Sequence, residues 1–175
     1  FLLLFLISSS VSASEKKDDV LLQAEKLVSN GNIQEAIDLL IPYSKKVDDE
    51  LAEKIQLELS YLFWTHLEDY EKAAYWAEIC ALKGNVDCQY NLAAIFEEYL
   101  VDHEKSAYWY HKCAENNDAI CQGVLGYFYD NGLIGLEKNS KIALKWHLLA
   151  AEQNLSNSLT TIASYYLDGV VLEQS

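Results

Sequence analysis

Cys80 to Cys121 reads CALKGNVDCQYNLAAIFEEYLVDHEKSAYWYHKCAENNDAIC, and one spacing occurs in it twice. Seven residues separate Cys80 from Cys88, and the same gap separates Cys113 from Cys121, 33 residues later. A coincidence of both gap and period marks a periodic architecture and not one local site.

The period extends beyond the cysteines. Aligned on tryptophan, Lys72-Ala73-Ala74-Tyr75-Trp76, Lys105-Ser106-Ala107-Tyr108-Trp109 and Ala143-Leu144-Lys145-Trp146 are spaced by 33 and then 37 residues. Thirteen residues before the first two tryptophans stand Phe63 and Phe96, and the third unit reaches Tyr129 after four extra residues, which predict a longer turn. Ahead of these aromatics lie Leu59-Ser60, Leu92-Ala93 and Leu125-Gly126, and a fourth copy opens with Ile162-Ala163 and Tyr166. A large residue, a small neighbour and an aromatic four places on form one face of a helix. The second helix carries a small residue three before tryptophan and another four after it, Cys80, Cys113 and Ala150. Small and large positions then interlock across a helical hairpin. Gly84-Asn85, Asn116-Asn117-Asp118, Asn131-Gly132 with Gly135, and Asn154 to Asn157 separate the runs, so the helices are predicted at about 12 to 15 residues. The fold class expected is an all-α solenoid of stacked antiparallel helix hairpins.

An earlier pair precedes these units. Val20 to Val28 is apolar at helical spacing, Gly31-Asn32 makes a turn, and Glu35-Ala36-Ile37 to Ile41 continues as far as Pro42, where a helix commonly stops. Residues 20–50 are expected as a tetratricopeptide-like hairpin capping the array.

Leu125-Gly126-Tyr127-Phe128-Tyr129, Asn131-Gly132, Asn139, Ala143, Trp146 and Ala150-Ala151 resemble the Sel-one-like repeat, a relative of the tetratricopeptide repeat. The resemblance covers about residues 51–175, with the last repeat incomplete. The paired cysteines resemble the secreted, cysteine-rich branch of that family known from Helicobacter, in which a disulfide of this spacing staples each hairpin to the next. That resemblance implies the bonds Cys80–Cys88 and Cys113–Cys121. Ala150 and Ser158 stand where a further pair would fall, and Ile55 holds a second cysteine's place at the junction before Cys80. The residues themselves are compatible with the staple, since each pair spans a short reversal between two helices. Closing a loop of about nine residues contributes roughly 2.5 kcal/mol. The alternative is four reduced, buried cysteines acting as small apolar residues.

Phe1 to Ile7 is an uninterrupted apolar run followed by Ser8-Ser9-Ser10 and Val11-Ser12-Ala13, the pattern of a signal-peptide core and cleavage site. Residues 1–13 are therefore expected as an amino-terminally truncated signal peptide, and 14–19 as the flexible start of a secreted or periplasmic mature chain. Seven apolar residues cannot span a bilayer, and no membrane span is expected in the mature chain. The fourth unit supplies its first helix, Ser158 to Leu167, and the expectation is that further repeats follow in the natural protein.

The chain has 13 lysines and no arginine against 27 acidic residues, a net charge of −14. This disfavours nucleic acid and anionic membrane surfaces as partners. Catalysis finds little support. The cysteine-rich relatives resemble proteins described as penicillin-binding or weakly β-lactam-hydrolysing, yet the only S-x-x-K is Ser14 to Lys17, with neither S-D-N nor K-T-G. A peptidoglycan- or β-lactam-interacting protein is the alternative reading. His66, His103, His111 and His147 show no metal-binding spacing and are expected at the surface or packed on second helices. No catalytic residue, metal or cofactor is expected.

A binding surface is what the pattern leaves. In the tetratricopeptide family the first helices line the concave face, and that register places Leu57, Tyr61 and Trp64 beside Tyr90, Glu97 and Glu98, then Tyr127 and Asp130. The groove so formed is aromatic and acidic, suited to a protein or peptide partner of basic character held by a monomer. The competing expectation is that these aromatics pack between hairpins and the acids are solvated. Gln56, Gln89 and Gln122 recur at 33-residue intervals beside the cysteine positions, and a hydrogen-bonding ladder between hairpins is one reading of them.

Overall fold

The computed structural model of the protein describes residues 13–45 and 49–167. Among them the regular structure is entirely helical: α1 (Ala13–Ser29), α2 (Ile33–Leu40), α3 (Asp49–Thr65), α4 (Tyr70–Ala81), α5 (Val86–Glu98), α6 (His103–Glu115), α7 (Ala119–Asn131), α8 (Ser140–Glu152) and α9 (Ser156–Leu167). The chain forms two compact units, residues 1–55 and 56–175.

In the first unit α2 folds back on α1 through Gly31, whose φ of +81° is a conformation glycine adopts freely. Asn32 N donates to the Leu27 carbonyl at 2.8 Å, closing the end of α1. Ala36, Ile37 and Leu40 of α2 are buried, as are Val20 and Ala24 of α1. The residues expected as a signal peptide lie outside the described residues, except Ala13, which opens α1. Residues 14–19, expected to be flexible, belong to α1 instead. Glu15, Lys16 and Lys17 are good helix formers, and a helix nucleated by the apolar stretch from Val20 extends back through them at little cost.

In the second unit each helix from α4 to α9 packs on the next in chain order. Two of the segments read as breakers supply N-caps, Asn85 and Asp118, a third holds Gly132, the left-handed C-cap of α7, and three further caps were not marked in the sequence. Asp69, Asn85, Asp102, Asp118 and Asn139 each precede a helix, and each side chain accepts the backbone N–H three residues on. The repeat columns form the core: Leu59, Leu92 and Leu125 are fully buried, and so are Ala73, Ser106 and Ala143 opposite them. The extra four residues of the third unit are looped out between α7 and α8. Asn139 N returns to the Tyr129 carbonyl at 2.7 Å, as Asp102 N bonds Phe96 and Asp69 N bonds Phe63 at 2.8 and 3.0 Å, so the insertion leaves the hairpin register intact. Residues 56–167 thus have the stacked-hairpin architecture expected from the repeats.

Candidate functional site

Two hairpin junctions carry the cysteine pairs. Cys80 and Cys88 stand at disulfide distance with Cα atoms 5.9 Å apart, and Cys113 and Cys121 do so at 5.8 Å. All four are fully buried. Asn85 and Asp118 cap α5 and α7 by accepting from the backbone N–H groups of Cys88 and Cys121, at 3.0 and 2.8 Å. The caps thereby fix where each second cysteine starts its helix. Cys113, Asp118 and Cys121 gather within 4.8 Å of one another, but capping and sulfur pairing account for that proximity without a metal ion.

The glutamine column lies at the same junctions. Gln89 Nε2 donates to the Ala81 carbonyl at 3.1 Å, while its Oε1 accepts from Asn116 Nδ2 at 2.9 Å. Gln122 repeats both bonds, donating to the Ala114 carbonyl at 3.2 Å and accepting from Gln153 Nε2 at 3.0 Å. Ala81 and Ala114 lie in the last turns of α4 and α6, where carbonyls have no partner within the helix. Each glutamine therefore ties the end of one second helix to the end of the next. The three positions were visible in the sequence as a column; their partners were not, because Asn116 and Gln153 lie 27 and 31 residues away with no spacing rule to mark them.

The residues expected on the binding face lie on the first helices α3, α5 and α7, where Leu57 matches Tyr90, Tyr61 matches Tyr127, and Trp64, Glu97 and Asp130 share one column, with Glu98 next to it. Tyr61, Glu98 and Tyr127 are exposed, while Leu57, Trp64, Tyr90, Glu97 and Asp130 are half-buried. Trp64 meets Tyr99 edge-on at 6.1 Å, and Tyr99 in turn stacks on Tyr70 at 4.1 Å. Tyr90 meets Tyr110 edge-on. The acids are engaged more than a solvated face would be. Tyr110 Oη donates to Glu97 at 2.9 Å, and burial together with the Glu97 charge holds that phenol well above its ordinary pKa, so it stays a donor. Asp130 accepts from the Tyr165 hydroxyl and faces His147, with Nε2 3.4 Å from Oδ2.

Glu97 with Tyr110 and Asp130 with His147 are the same two positions in successive repeats. Each pairs a first-helix acid with the residue directly after the repeat tryptophan. His147 is buried, and its Nδ1 lies 3.3 Å from Ser158 Oγ. Burial lowers its pKa and the Asp130 charge opposes that shift. Gly126 gives the ring its room, since a Cβ there would stand 2.7 Å from the imidazole. Of the other histidines, His66 and His103 are exposed, and half-buried His111 lies 3.2 Å from the Tyr129 hydroxyl. Beside His147, between α7 and α9, opens a groove of about 540 Å³ walled by Gly123, Val124, Tyr127, Asp130 and Leu155 among others.

The Sel1 repeat family matches residues 56–85, 86–118 and 119–155, together more than half of the chain. The crystal structure of a Sel1 repeat protein from Oxalobacter formigenes aligns with a TM-score of 0.63 at 26% identity, over 86% of this chain and 61% of that one. The structure of c5321, a protective antigen present in uropathogenic Escherichia coli strains and displaying an SLR fold, aligns with a TM-score of 0.60 at 26% identity, over 82% of this chain and 36% of that one. The chain therefore spans less than two thirds of either of these proteins. No curated protein sequence matches it. The matched segments coincide with the helix pairs α3–α4, α5–α6 and α7–α8, whose fold is a scaffold that typically serves protein–protein interaction. The chain belongs to the Sel1 repeat family.

Proposed function

We infer that this chain is a non-enzymatic repeat scaffold acting outside the cytoplasm, which holds a protein or peptide segment along the first helices of its repeats. The observation that carries the reading is the row of matched positions on α3, α5 and α7, where exposed Tyr61 and Tyr127 stand in the same column and exposed Glu98 lies on the helix between them. Tyrosine supplies contact area at low entropic cost, and a net charge of −14 favours a basic partner. Free carboxylate for that partner comes from Glu98 more than from Glu97 or Asp130, which already bond within the fold.

Two features support the compartment. Both cysteine pairs stand at disulfide distance, and such bonds persist where the surroundings are oxidising. The apolar run at residues 1–7 with its small-residue site near Ala13 has the form of an export signal. None of the described helices is long and apolar enough to cross a membrane. The similar Escherichia coli protein, described as a protective antigen, agrees with such a location. The α1–α2 hairpin is assigned the role of amino-terminal cap, and residues 51–175 that of the repeat array carried by a monomer.

Immobilised protein challenged with a lysine-rich and a glutamate-rich tyrosine-containing peptide tests the reading. Retention of the basic peptide, lost in Tyr61→Ala and Glu98→Lys with unchanged melting, is expected. No retention of either peptide by the unaltered protein would make the array a structural spacer, and undiminished retention by both variants would remove this face as the binding surface.

A further inference from the structure

Successive repeats are close copies, so a side chain present in one and missing from the next is a built difference. Tyr90 lies two residues after Cys88 on α5, and its ring stands edge-on to Tyr110 with 6.1 Å between centroids and 72° between planes. Two residues after Cys121, the corresponding position on α7 is Gly123. The place of Tyr110, directly after the repeat tryptophan, is taken by His147. The third repeat therefore keeps an inner ring, now an imidazole, and omits the outer one. Leu155 packs directly on Gly123, within 2.6 Å of where a Cβ would stand, and beside it a groove opens between α7 and α9 with Gly123, Leu155 and His147 in its wall.

His147 marks the same place independently. Only 4% of the residue is exposed, Nδ1 is engaged with Ser158, and the acceptor facing Nε2, Asp130 Oδ2, stands at a long 3.4 Å. A buried ring nitrogen so loosely engaged calls for an explanation, and a guest in the groove beside it supplies one.

We propose that this groove receives an aromatic side chain, tyrosine in preference to phenylalanine, from the segment bound by the repeats. The guest ring takes the place against His147 that Tyr90 takes against Tyr110. Val124 and Leu155 give it apolar walls, and Asn131 and Thr161 offer partners to a phenol hydroxyl. A lysine fits less well, because the one carboxylate in the wall, Asp130, already accepts from Tyr165. A leucine would desolvate the polar wall without bonding to it. The assignment rests on the scaffold reading above and gives one of its contacts a chemical identity.

Titration of isotope-labelled protein with the N-acetyl amides of tyrosine, phenylalanine, leucine and lysine, followed by amide chemical shifts, tests it. Tyrosine amide is expected to shift Gly123, Tyr127 and His147 saturably, with lysine and leucine amides at least tenfold weaker. Gly123→Tyr is expected to fill the groove and abolish the shifts. A Cβ there would stand 2.6 Å from Leu155 Cδ2, so that variant is paired with Tyr127→Ala, which removes an exposed wall and weakens tyrosine amide several-fold without touching the core. Lysine amide binding at these residues more tightly than tyrosine amide, or no response to tyrosine amide up to its solubility, overturns the assignment. A basic peptide held through Tyr61 and Glu98 while Gly123 stays unmoved overturns the groove alone; groove binding without peptide retention on α3 and α5 overturns the scaffold reading alone.

Discussion

Asn116 Nδ2 donates to Gln89 Oε1 at 2.9 Å across 27 residues of chain, and the same bond recurs one repeat later between Gln153 and Gln122. With the donation from each glutamine to the helix end before it, this makes a polar rung at the junction that a cysteine pair also spans. Two buried bonds at about 1 kcal/mol each, plus the cavity left behind, put the cost of Gln89→Ala at about 2 to 4 kcal/mol. A double-mutant cycle in urea is expected to give a coupling of about 0.5 to 1.5 kcal/mol for Gln89→Ala with Asn116→Ala. Gln89→Ala with Gln153→Ala, which share no bond, is expected to be additive.

Acidification is expected to weaken the third repeat through His147. Burial holds its folded pKa below the ordinary value of 6.5, while the unfolded chain titrates normally. Above 6.5 the residue is neutral in both states and contributes no pH dependence. Below 6.5 the unfolded state binds its proton first, so stability falls as pH drops, until the folded pKa is passed. Asp130 limits the loss by attracting the imidazolium, and half-buried His111 adds a fall of the same sign. Urea midpoints between pH 7.5 and 5 are expected to flatten in His147→Gln; an unchanged slope would remove His147 as the cause.

Gly126 and Gly123 are both buried, yet they should respond differently to alanine. A Cβ at Gly126 meets three atoms of the His147 ring at 2.7 to 2.8 Å, a rigid plane held by Ser158. At Gly123 it meets the tip of Leu155, which can rotate away. Gly126→Ala is expected to destabilise by about 1 to 3 kcal/mol and Gly123→Ala by distinctly less. Thermal melts of the two variants compare them directly.

Val101 adopts φ +51° in the turn between α5 and α6, where its side chain is exposed. A β-branched residue in the left-handed region is strained by about 1 to 2 kcal/mol, and asparagine tolerates that region better. Val101→Asn is expected to raise the melting temperature, with no packing lost to offset the gain.

The periodic part of this architecture was legible because each repeat writes the same large, small and aromatic columns. Leu59, Leu92 and Leu125 announce their burial by spacing alone, and the breakers before α5 and α7 hold the caps Asn85 and Asp118. Less legible was whatever depends on a partner outside the column. Glu97 and Asp130 read as outward acids on register, yet each accepts a phenol hydroxyl, from Tyr110 and from Tyr165 respectively. The 33-residue columns do not say which second-helix or next-repeat side chain will reach them. The helix over residues 14–19 was missed because a polar, charged run gives no periodic signal, although its helix propensity is high.

An array of hairpins stapled in an oxidising compartment is tested most directly by the intact mass of the exported protein, unfolded and alkylated without reductant. It predicts no alkylation and a mass lower by four hydrogens than the reduced chain, with each of the two bonds contributing about 2.5 kcal/mol. Alkylation of all four thiols, at Cys80, Cys88, Cys113 and Cys121, would contradict it and leave the cysteines as small apolar residues of a cytosolic adaptor.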